Sequence, residues 1–125
     1  MGRRSLDNLE RANVMKHGSA VLEQELEPLV GVFRLLSDRT RLNILMLLAD
    51  GERNVTTLCE ELGLPQPTVS HHLGLLRMRN LITNRRSGKQ IFYGLNGHVN
   101  PITTDRGLAI QVDRFMISIN GTDGI

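Results

Sequence analysis

Five basic side chains and three histidines lie together in a part of the chain that holds no acidic residue. Residues 62–104 contain no Asp or Glu, but they contain three of the four histidines and Arg77, Arg79, Arg85, Arg86 and Lys89. All 13 acidic residues lie outside with the other 10 Lys and Arg residues, so +5 inside and −3 outside sum to +2. Such a charge distribution attracts polyanions and repels acidic partners. A solvated basic face without a partner is the alternative, and charge patterning alone favours neither.

The segment 66–80 supplies side chains that could recognise a polyanion. At about 100° per residue, Val69, Leu73 and Leu76 share one face of a helix and are expected to contact the core. The opposite face and its flanks carry Thr68, Ser70, His71, His72, Gly74, Arg77 and Met78. Together with Gln66, the small polar groups near the start can hydrogen-bond base edges or phosphates. An ordinary solvated face is the alternative, and the pattern leaves packing and phosphate contact open for His72.

Two neighbouring elements would position this helix. Thr57 followed by Glu60 matches a capping box that opens a short helix, and the turn 63–66 joins it to the segment above. Two helices joined by a short turn with Gly form a helix-turn-helix pattern, whose second helix enters the major groove of DNA. Residues 81–86 and 90–95 predict two strands around a basic tip that carries Arg85, Arg86 and Lys89. Such a tip suits the minor groove or flanking phosphates, although basic residues also blunt exposed sheet edges.

The rest of the chain predicts a mainly α domain with this small hairpin. Apolar residues at steps of three and four predict a first helix over 19–36, interrupted by Pro28. Ser37 is the expected N-cap of a second helix that ends at Gly51. A last helix is predicted from the stripe of Leu108, Val112, Phe115, Met116 and Ile119. The division is then an arm or short extra helix over 1–18, one domain over 19–119 and a tail over 120–125.

The composition limits the alternatives. Aromatic residues make up only 3% of the chain, so the core must be aliphatic, and a small core of this kind favours oligomerisation. The single cysteine, Cys59, excludes an intrachain disulfide and a cysteine cluster within one subunit. The first residues are charged and lack the apolar run of a signal peptide, and no segment approaches about 20 apolar residues, so we expect a cytoplasmic protein without membrane contact. No catalytic triad, paired carboxylates or phosphate-binding loop is visible, so we expect neither an enzyme nor a cofactor.

Three motifs carry a resemblance to a known family. Residues 35–45, Leu-Leu-Ser-Asp-Arg-Thr-Arg-Leu-Asn-Ile-Leu, are similar to a signature of the ArsR/SmtB family of winged-helix repressors. Residues 66–76, Gln-Pro-Thr-Val-Ser-His-His-Leu-Gly-Leu-Leu, resemble the recognition helix of that family, and residues 85–93 resemble its wing. The motifs have the order and spacing of the family, and the resemblance runs from about residue 22 to residue 95.

The resemblance implies a dimeric winged helix-turn-helix protein. It implies a homodimeric repressor that binds a palindromic operator in double-stranded DNA and releases it on sensing an inducer, whose identity is not predicted. The DNA-binding residues would be Gln66, Thr68, Ser70, His71, Arg77, Arg85, Arg86 and Lys89. The first and last helices would form the dimer interface through Leu22, Leu26, Leu29, Phe33, Leu108, Val112, Phe115, Met116 and Ile119. The alternative is a winged-helix adaptor for protein partners that does not bind DNA.

The chain departs from the family at positions that bind metal in many members. Asn54 and Thr56 replace the usual cysteines of the third helix, and Cys59 falls where the family has no ligand. The other family site needs His and Glu ligands in the last helix, where this chain has no Glu and no histidine after His98. Because zinc requires several Cys or His ligands at defined spacing, no metal site is expected. Pro65 also stands where the family often has a capping Ser.

Overall fold

The computed structural model describes residues 22–102 and 107–122. The helices within these residues are α1 (22–36), α2 (Arg39–Ala49), α3 (Val55–Leu62) and α4 (Gln66–Met78). The strands are β1 (Arg53–Asn54), β2 (Ile82–Ser87), β3 (Gln90–Leu95), β4 (Val99–Ile102), β5 (Gly107–Val112) and β6 (Phe115–Ile119). They form two antiparallel sheets with the strand orders β1-β3-β2 and β4-β5-β6. The predicted arm over 1–18 lies outside the described residues.

Side-chain caps set the starts of α2 and α3, and both differ from the prediction. Asp38, not Ser37, is the N-cap of α2, where its carboxylate accepts a hydrogen bond from the Arg41 N–H at 3.1 Å. Asn54 caps α3 by accepting from the Thr57 N–H at 2.8 Å, so the predicted capping box at Thr57 is wrong. Asp and Asn cap helices as well as Ser and Thr do, and spacing alone does not choose between neighbouring residues.

The helix-turn-helix is built on an aliphatic core. The core residues of α2, α3 and α4 are at most 3% exposed; they are Ile44, Leu45, Leu48, Leu58, Val69, Leu73 and Leu76. Gly63 ends α3 in the left-handed conformation with φ of 65°, which Gly adopts at little cost, and the chain turns there into α4. The predicted burial of one face of α4 is confirmed, and that burial fixes which face of the helix is exposed.

The predicted hairpin after α4 is present as β2 and β3. Its register pairs Ile82 with Leu95 at the base and Ser87 with Gln90 at the tip. Gly88 adopts a left-handed φ of 63° in the turn. The short strand β1 adds a third strand to β3. Only the first residue of β2 is buried, so this hairpin, the wing, exposes most of its side chains.

The predicted last helix is wrong, because its residues form the second sheet. Leu108, Ile110 and Val112 alternate along β5 and are buried in the core. β6 pairs with β5 antiparallel, so that Val112 lies opposite Phe115. The predicted apolar stripe is therefore divided between two strands, and Leu108 and Val112 pack inside the protomer instead of forming part of a helical interface.

The local sequence explains why this region forms strands. Its β-branched and aromatic residues favour an extended backbone, and the period-two alternation in β5 buries one side of the strand. Asp113 adopts φ of 53° in the turn between β5 and β6, a conformation that Asp tolerates better than most residues. A Cβ on Gly107 would collide with the carbonyl oxygen of Ile119, so the close approach of the two strands requires glycine there.

Candidate nucleic-acid interface

The exposed face of α4 carries the polar residues expected to recognise DNA. Gln66, Thr68, Ser70, His71, Gly74 and Arg77 are exposed, and His72 is half-buried. Pro65 occupies the N-cap position without a side-chain hydrogen bond, and its carbonyl oxygen accepts from the N–H groups of Thr68 and Val69 at 3.1 and 3.2 Å. A helix N-terminus attracts anions through its unpaired N–H groups and its dipole. This face therefore combines side chains that form hydrogen bonds with a favourable potential for phosphate.

Arg85 is held at the side of the wing by an acidic partner. Its Nε donates to Glu52 Oε2 at 2.9 Å and its Nη2 donates to Glu52 Oε1 at 2.9 Å. The guanidinium carbon also lies 4.9 Å from the centre of the Phe92 ring. The hydrogen bonds from Arg85, followed by its charge, lower the pKa of Glu52, and the same contacts raise the pKa of Arg85. Both side chains are about half exposed, so this bidentate pair is solvent-screened.

The tip of the wing differs from Arg85. Arg86 and Lys89 are exposed and have no ion-pair partner among residues 22–102 and 107–122. The fold thus brings Glu52, from outside the acid-free stretch of sequence, to one of its basic residues and leaves the tip cationic. A glutamate ten residues before that stretch gives no sequence signal for this pairing, which depends on the β1–β3 pairing.

A second arginine connects α2 with α4. Arg41 Nε donates to the carbonyl oxygen of Leu35 at 2.9 Å, and Arg41 Nη1 lies 3.2 Å from His72 Nδ1. Nη1 also lies 3.9 Å from Asp38 Oδ2, and the Arg41 side chain is only 16% exposed. Arg41 therefore joins the end of α1, the start of α2 and the flank of α4. This contact was not predictable from the sequence, because 31 residues separate Arg41 from His72.

The contacts with Arg41 lower the pKa of the Asp38 carboxyl. The backbone N–H of Arg41 donates to the carboxylate and lowers its pKa below the usual 3.8, partial burial opposes the shift, and the Arg41 charge supports it. The ionised carboxylate is thus the form that caps α2. Because the group lies near the surface, solvent screens these charges.

The outer side of α1 carries an apolar surface that the described residues leave uncovered. Leu22, Val30 and Phe33 are 40%, 37% and 51% exposed. Leu26 and Leu29 are half-buried. At about 100° per residue these five residues lie on one side of the helix, opposite the face that carries buried residues. On the second sheet, Met116 is also exposed, whereas Phe115 and Ile119 are half-buried.

The β5–β6 turn is fastened to α1 by an ion pair. Arg114 Nε lies 3.1 Å from Glu25 Oε2, and Arg114 Nη1 donates to Glu25 Oε1 at 3.4 Å. Oε2 is buried without a hydrogen bond of acceptable geometry despite the short distance, so we regard its interaction with Nε as mainly Coulombic. Arg114 also lies over the Phe115 ring, 5.6 Å from its centre. The turn is therefore engaged within the protomer.

The positions that align with the family's metal ligands have other surroundings here. Asn54 Oδ1 is occupied as the cap of α3, and Thr56 is exposed. Cys59 is a free, half-buried cysteine packed against the core. Across the described residues, no group of three or more His, Cys, Asp or Glu side chains is arranged to hold a metal ion. In the same part of the chain, no helix is long and apolar enough to cross a membrane.

The fold and the polar α4 face define a winged helix-turn-helix protein, and comparison with known proteins specifies the family. A family model described as "Bacterial regulatory protein, arsR family" matches residues 38–84. The HTH-type transcriptional regulator KmtR of Mycobacterium tuberculosis is 49% identical over 77 residues, which are 61% of this chain and 59% of KmtR. A biofilm growth-associated repressor of Xylella fastidiosa is 35% identical over 89 residues, 70% of this chain and 78% of the repressor. The chain therefore belongs to the arsR family of bacterial regulatory proteins.

Solved structures show the same fold. Reduced HlyU from Vibrio cholerae has a TM-score of 0.58 and 32% identity, over 61% of this chain and 80% of HlyU. The homodimeric winged helix-turn-helix DNA-binding domain Mb0332 from Mycobacterium bovis has a TM-score of 0.56 and 34% identity, over 63% and 70% of the two chains. The match to KmtR spans about three fifths of that protein's length.

Proposed function

We propose that this chain is a homodimeric transcriptional repressor that binds a palindromic operator in double-stranded DNA. The single observation that carries the proposal is the polar face of α4, held outward by the buried Val69, Leu73 and Leu76. The major groove admits one helix, and side chains near the start of that helix contact the base edges. Relatives described as repressors and a neighbour described as a DNA-binding domain support it.

Within the proposed interface, the residues divide by chemistry. Gln66, Thr68, Ser70 and His71 are exposed hydrogen-bonding groups on α4, and we assign them to base edges and nearby phosphates. Exposed Arg77 lies farther along α4 and is assigned to a phosphate. The cationic tip of the wing contacts flanking phosphates or the minor groove through Arg86 and Lys89. Arg85 contributes mainly by holding the wing against Glu52, because its guanidinium is already engaged there.

The apolar side of α1 is the proposed dimer interface. A two-fold contact through the same surface of both subunits is self-complementary and places two recognition helices about one DNA turn, ~34 Å, apart. Leu108 and Val112 do not take part, because they pack inside the protomer. The exposed Met116 and the half-buried Phe115 and Ile119 remain accessible to the partner.

The test of DNA binding starts from a randomised pool of duplexes, from which the protein selects its own sequence. We expect enrichment of an inverted repeat, and fluorescence anisotropy is expected to show tighter binding to the selected duplex than to a scrambled duplex of the same length. Recovery of no preferred duplex and no retardation of any DNA, together with a protein partner that is bound independently of salt, would instead favour a protein-interaction adaptor.

The dimer proposal has a separate test in sedimentation. Phe33→Glu places a charge in the exposed apolar surface of α1 and is expected to yield a monomer with at least ten-fold weaker binding to the selected duplex. Arg34→Glu is the matched control, because Arg34 is an exposed neighbour that lies outside this surface. A Phe33→Glu protein that remained dimeric would exclude α1 from the interface.

A further inference from the structure

Arg41 contacts His72, a histidine on the flank of the proposed recognition helix. An arginine guanidinium has only N–H donors and stays protonated in proteins. Arg41 Nη1 lies 3.2 Å from His72 Nδ1, so this approach is a hydrogen bond only if Nδ1 carries a lone pair. A proton on Nδ1 would set two donors against each other. The arrangement therefore requires a neutral imidazole whose proton is on Nε2.

The guanidinium is held in place by groups other than the histidine. The guanidinium Nε donates to the carbonyl oxygen of Leu35, and the backbone N–H of Arg41 donates to the carboxylate of Asp38. The carboxylate also lies 3.9 Å from Nη1. His71, the remaining titratable neighbour on α4, has its ring centre 5.6 Å from that of His72. Arg41 is thus anchored at the α1–α2 junction before it meets the His72 ring.

His72 lies beside the face of α4 that is assigned to DNA. His72 is half-buried, lies one turn beyond the exposed Thr68 on the same flank of α4, and directly follows the exposed His71. With Nδ1 directed at Arg41, the ring can offer only Nε2–H to a ligand of α4. We propose that His72 is a neutral Nε2–H donor to a DNA phosphate and that Arg41 is the positioning residue that fixes its tautomer and direction. This inference depends on the proposed function, since it assigns a role within the same interface.

The contribution of a neutral His72 to DNA affinity should depend on salt differently from that of the basic residues of the wing. Cations that neutralise a phosphate release counterions, so removing one reduces the dependence of log affinity on log salt by about one unit. A neutral donor releases none. Loss of the His72 contact should therefore weaken binding without changing the salt dependence. An imidazolium at the same position would behave like Arg86 or Lys89.

The first measurement is made on the free protein and needs no DNA. Long-range ¹H–¹⁵N spectra report which ring nitrogen carries the proton. We expect the His72 ring to carry its proton on Nε2. In Arg41→Met, the His72 ring is expected to show a mixture of protonation states. Arg39→Met is the matched control on the same helix, because Arg39 is exposed and lies outside this contact. A wild-type ring protonated on Nδ1 or on both nitrogens would overturn the inference.

The second measurement is binding to the selected duplex at pH 6.5 over a series of salt concentrations. His72→Leu and Arg41→Met are each expected to bind about 100-fold more weakly with an unchanged salt slope, as for one lost hydrogen bond to a charged group, worth about ten-fold, in each of the two subunits. His72→Gln, whose amide offers one acceptor and one donor group, is expected to retain affinity within about three-fold. Circular dichroism establishes whether each variant is folded. If Arg41→Met does not fold, the ring spectrum of the wild-type protein still tests the tautomer of His72.

The outcomes separate this inference from the proposed function. Equal affinities of wild type and His72→Leu, or a salt slope that falls by about half a unit or more in His72→Leu, would refute the neutral-donor role while operator binding stands. If the wild type selects no DNA at all, the proposed function fails together with the phosphate contact. Even then, the ring spectra separately decide whether Arg41 sets the tautomer.

Discussion

The two hairpins of the molecule have similar construction and opposite burial. The wing joins β2 and β3, and the second hairpin joins β5 and β6, each with strands of five or six residues around a short turn. In β2 only Ile82 is buried, whereas four of the six residues of β5 are buried. A strand that contributes alternate side chains to the core has few left to present to a ligand. We infer that the second hairpin mainly stabilises the fold and that the wing is the hairpin that can bind a ligand.

The turns of the two hairpins also differ: one is attached to the rest of the protomer and the other is exposed. The β5–β6 turn is fastened to α1 through the Arg114–Glu25 ion pair. In the wing, the ion pair between Arg85 and Glu52 lies on the strands, and the tip residues beyond it remain exposed. An anchored base with an accessible cationic tip is the arrangement required for phosphate contact. Two predictions test this difference between the hairpins, and two with smaller expected effects concern the start of α2 and the response to metals.

The largest expected effect is on stability and comes from the second hairpin. Ile110→Ala removes a side chain that is 0% exposed, and we expect a loss of roughly 2 to 5 kcal/mol in the free energy of unfolding. Met116→Ala in the neighbouring strand is the control, since Met116 is 60% exposed; its expected change is below about 0.5 kcal/mol. Urea unfolding at one fixed protein concentration measures both, because dimerisation makes apparent stability depend on concentration. Equal losses for the two variants would contradict the assigned burial of β5.

The second-largest effect is expected from substitutions in the wing, which should lower the affinity for DNA. Arg86→Ala and Lys89→Ala are each expected to weaken binding to every duplex about equally and to lower the salt slope by about one unit per lost phosphate contact, which is about two units for the homodimer. Their unfolding free energies should change by less than about 0.5 kcal/mol. Arg85→Ala should reduce the slope less, because Glu52 already neutralises it. Anisotropy titrations at several salt concentrations measure these slopes, and unchanged slopes for both tip variants would show that the wing does not contact phosphate.

A smaller effect is expected at the start of α2, away from both hairpins. Asp38→Ala should cost about 1 kcal/mol at pH 7 through the lost cap. Because the folded pKa of Asp38 is lowered, the stabilisation from its charge is present above 3.8 and is lost as pH falls through the folded pKa. Asp38→Asn retains a capping oxygen without that charge. The difference between wild type and Asp38→Asn should therefore shrink below pH 3.8, and a difference that grew with acid would contradict the cap assignment.

The smallest expected effect is that of metals. An amide and a hydroxyl at Asn54 and Thr56 cannot supply the thiolates that thiophilic metals select. Stoichiometric zinc, cadmium or arsenite should leave the affinity for the selected duplex unchanged, and Cys59→Ser should behave like wild type with or without peroxide. Anisotropy with and without each metal tests this. A ten-fold loss of affinity, about 1.4 kcal/mol, would reveal a metal site that couples to DNA binding.

The region up to residue 95 was predictable because several local signals agree there. Val69, Leu73 and Leu76 have helical spacing, Gly63 marks the end of α3, and the strands flanking Gly88 have a turn between them. The caps were misplaced by only a few residues, since neighbouring Ser, Thr, Asp and Asn compete for the same role. The Arg41–His72 and Arg85–Glu52 contacts were not predictable, because they depend on how distant elements pack.

The second hairpin was mispredicted for a physical reason. Leu108, Val112 and Phe115 fit a helical stripe, but Leu108, Ile110 and Val112 also fit the period of a strand. The β-branched residues and the Asp113 turn favour strands, and pairing between β5 and β6 settles the conflict. This error also affected the site, because it placed Leu108 and Val112 at an interface when they lie in the core.

The most direct test of the account is the ratio of dissociation constants for scrambled and selected duplexes at one salt concentration. We predict a wild-type ratio of about 10³ or more. Ser70→Ala or His71→Ala should reduce it at least ten-fold, as expected for a lost base contact of about 1 to 3 kcal/mol. Arg86→Ala should leave the ratio unchanged while weakening both constants. A ratio near one for the wild type, or one that falls with Arg86→Ala and not with the α4 variants, would contradict the claim that α4 reads the sequence.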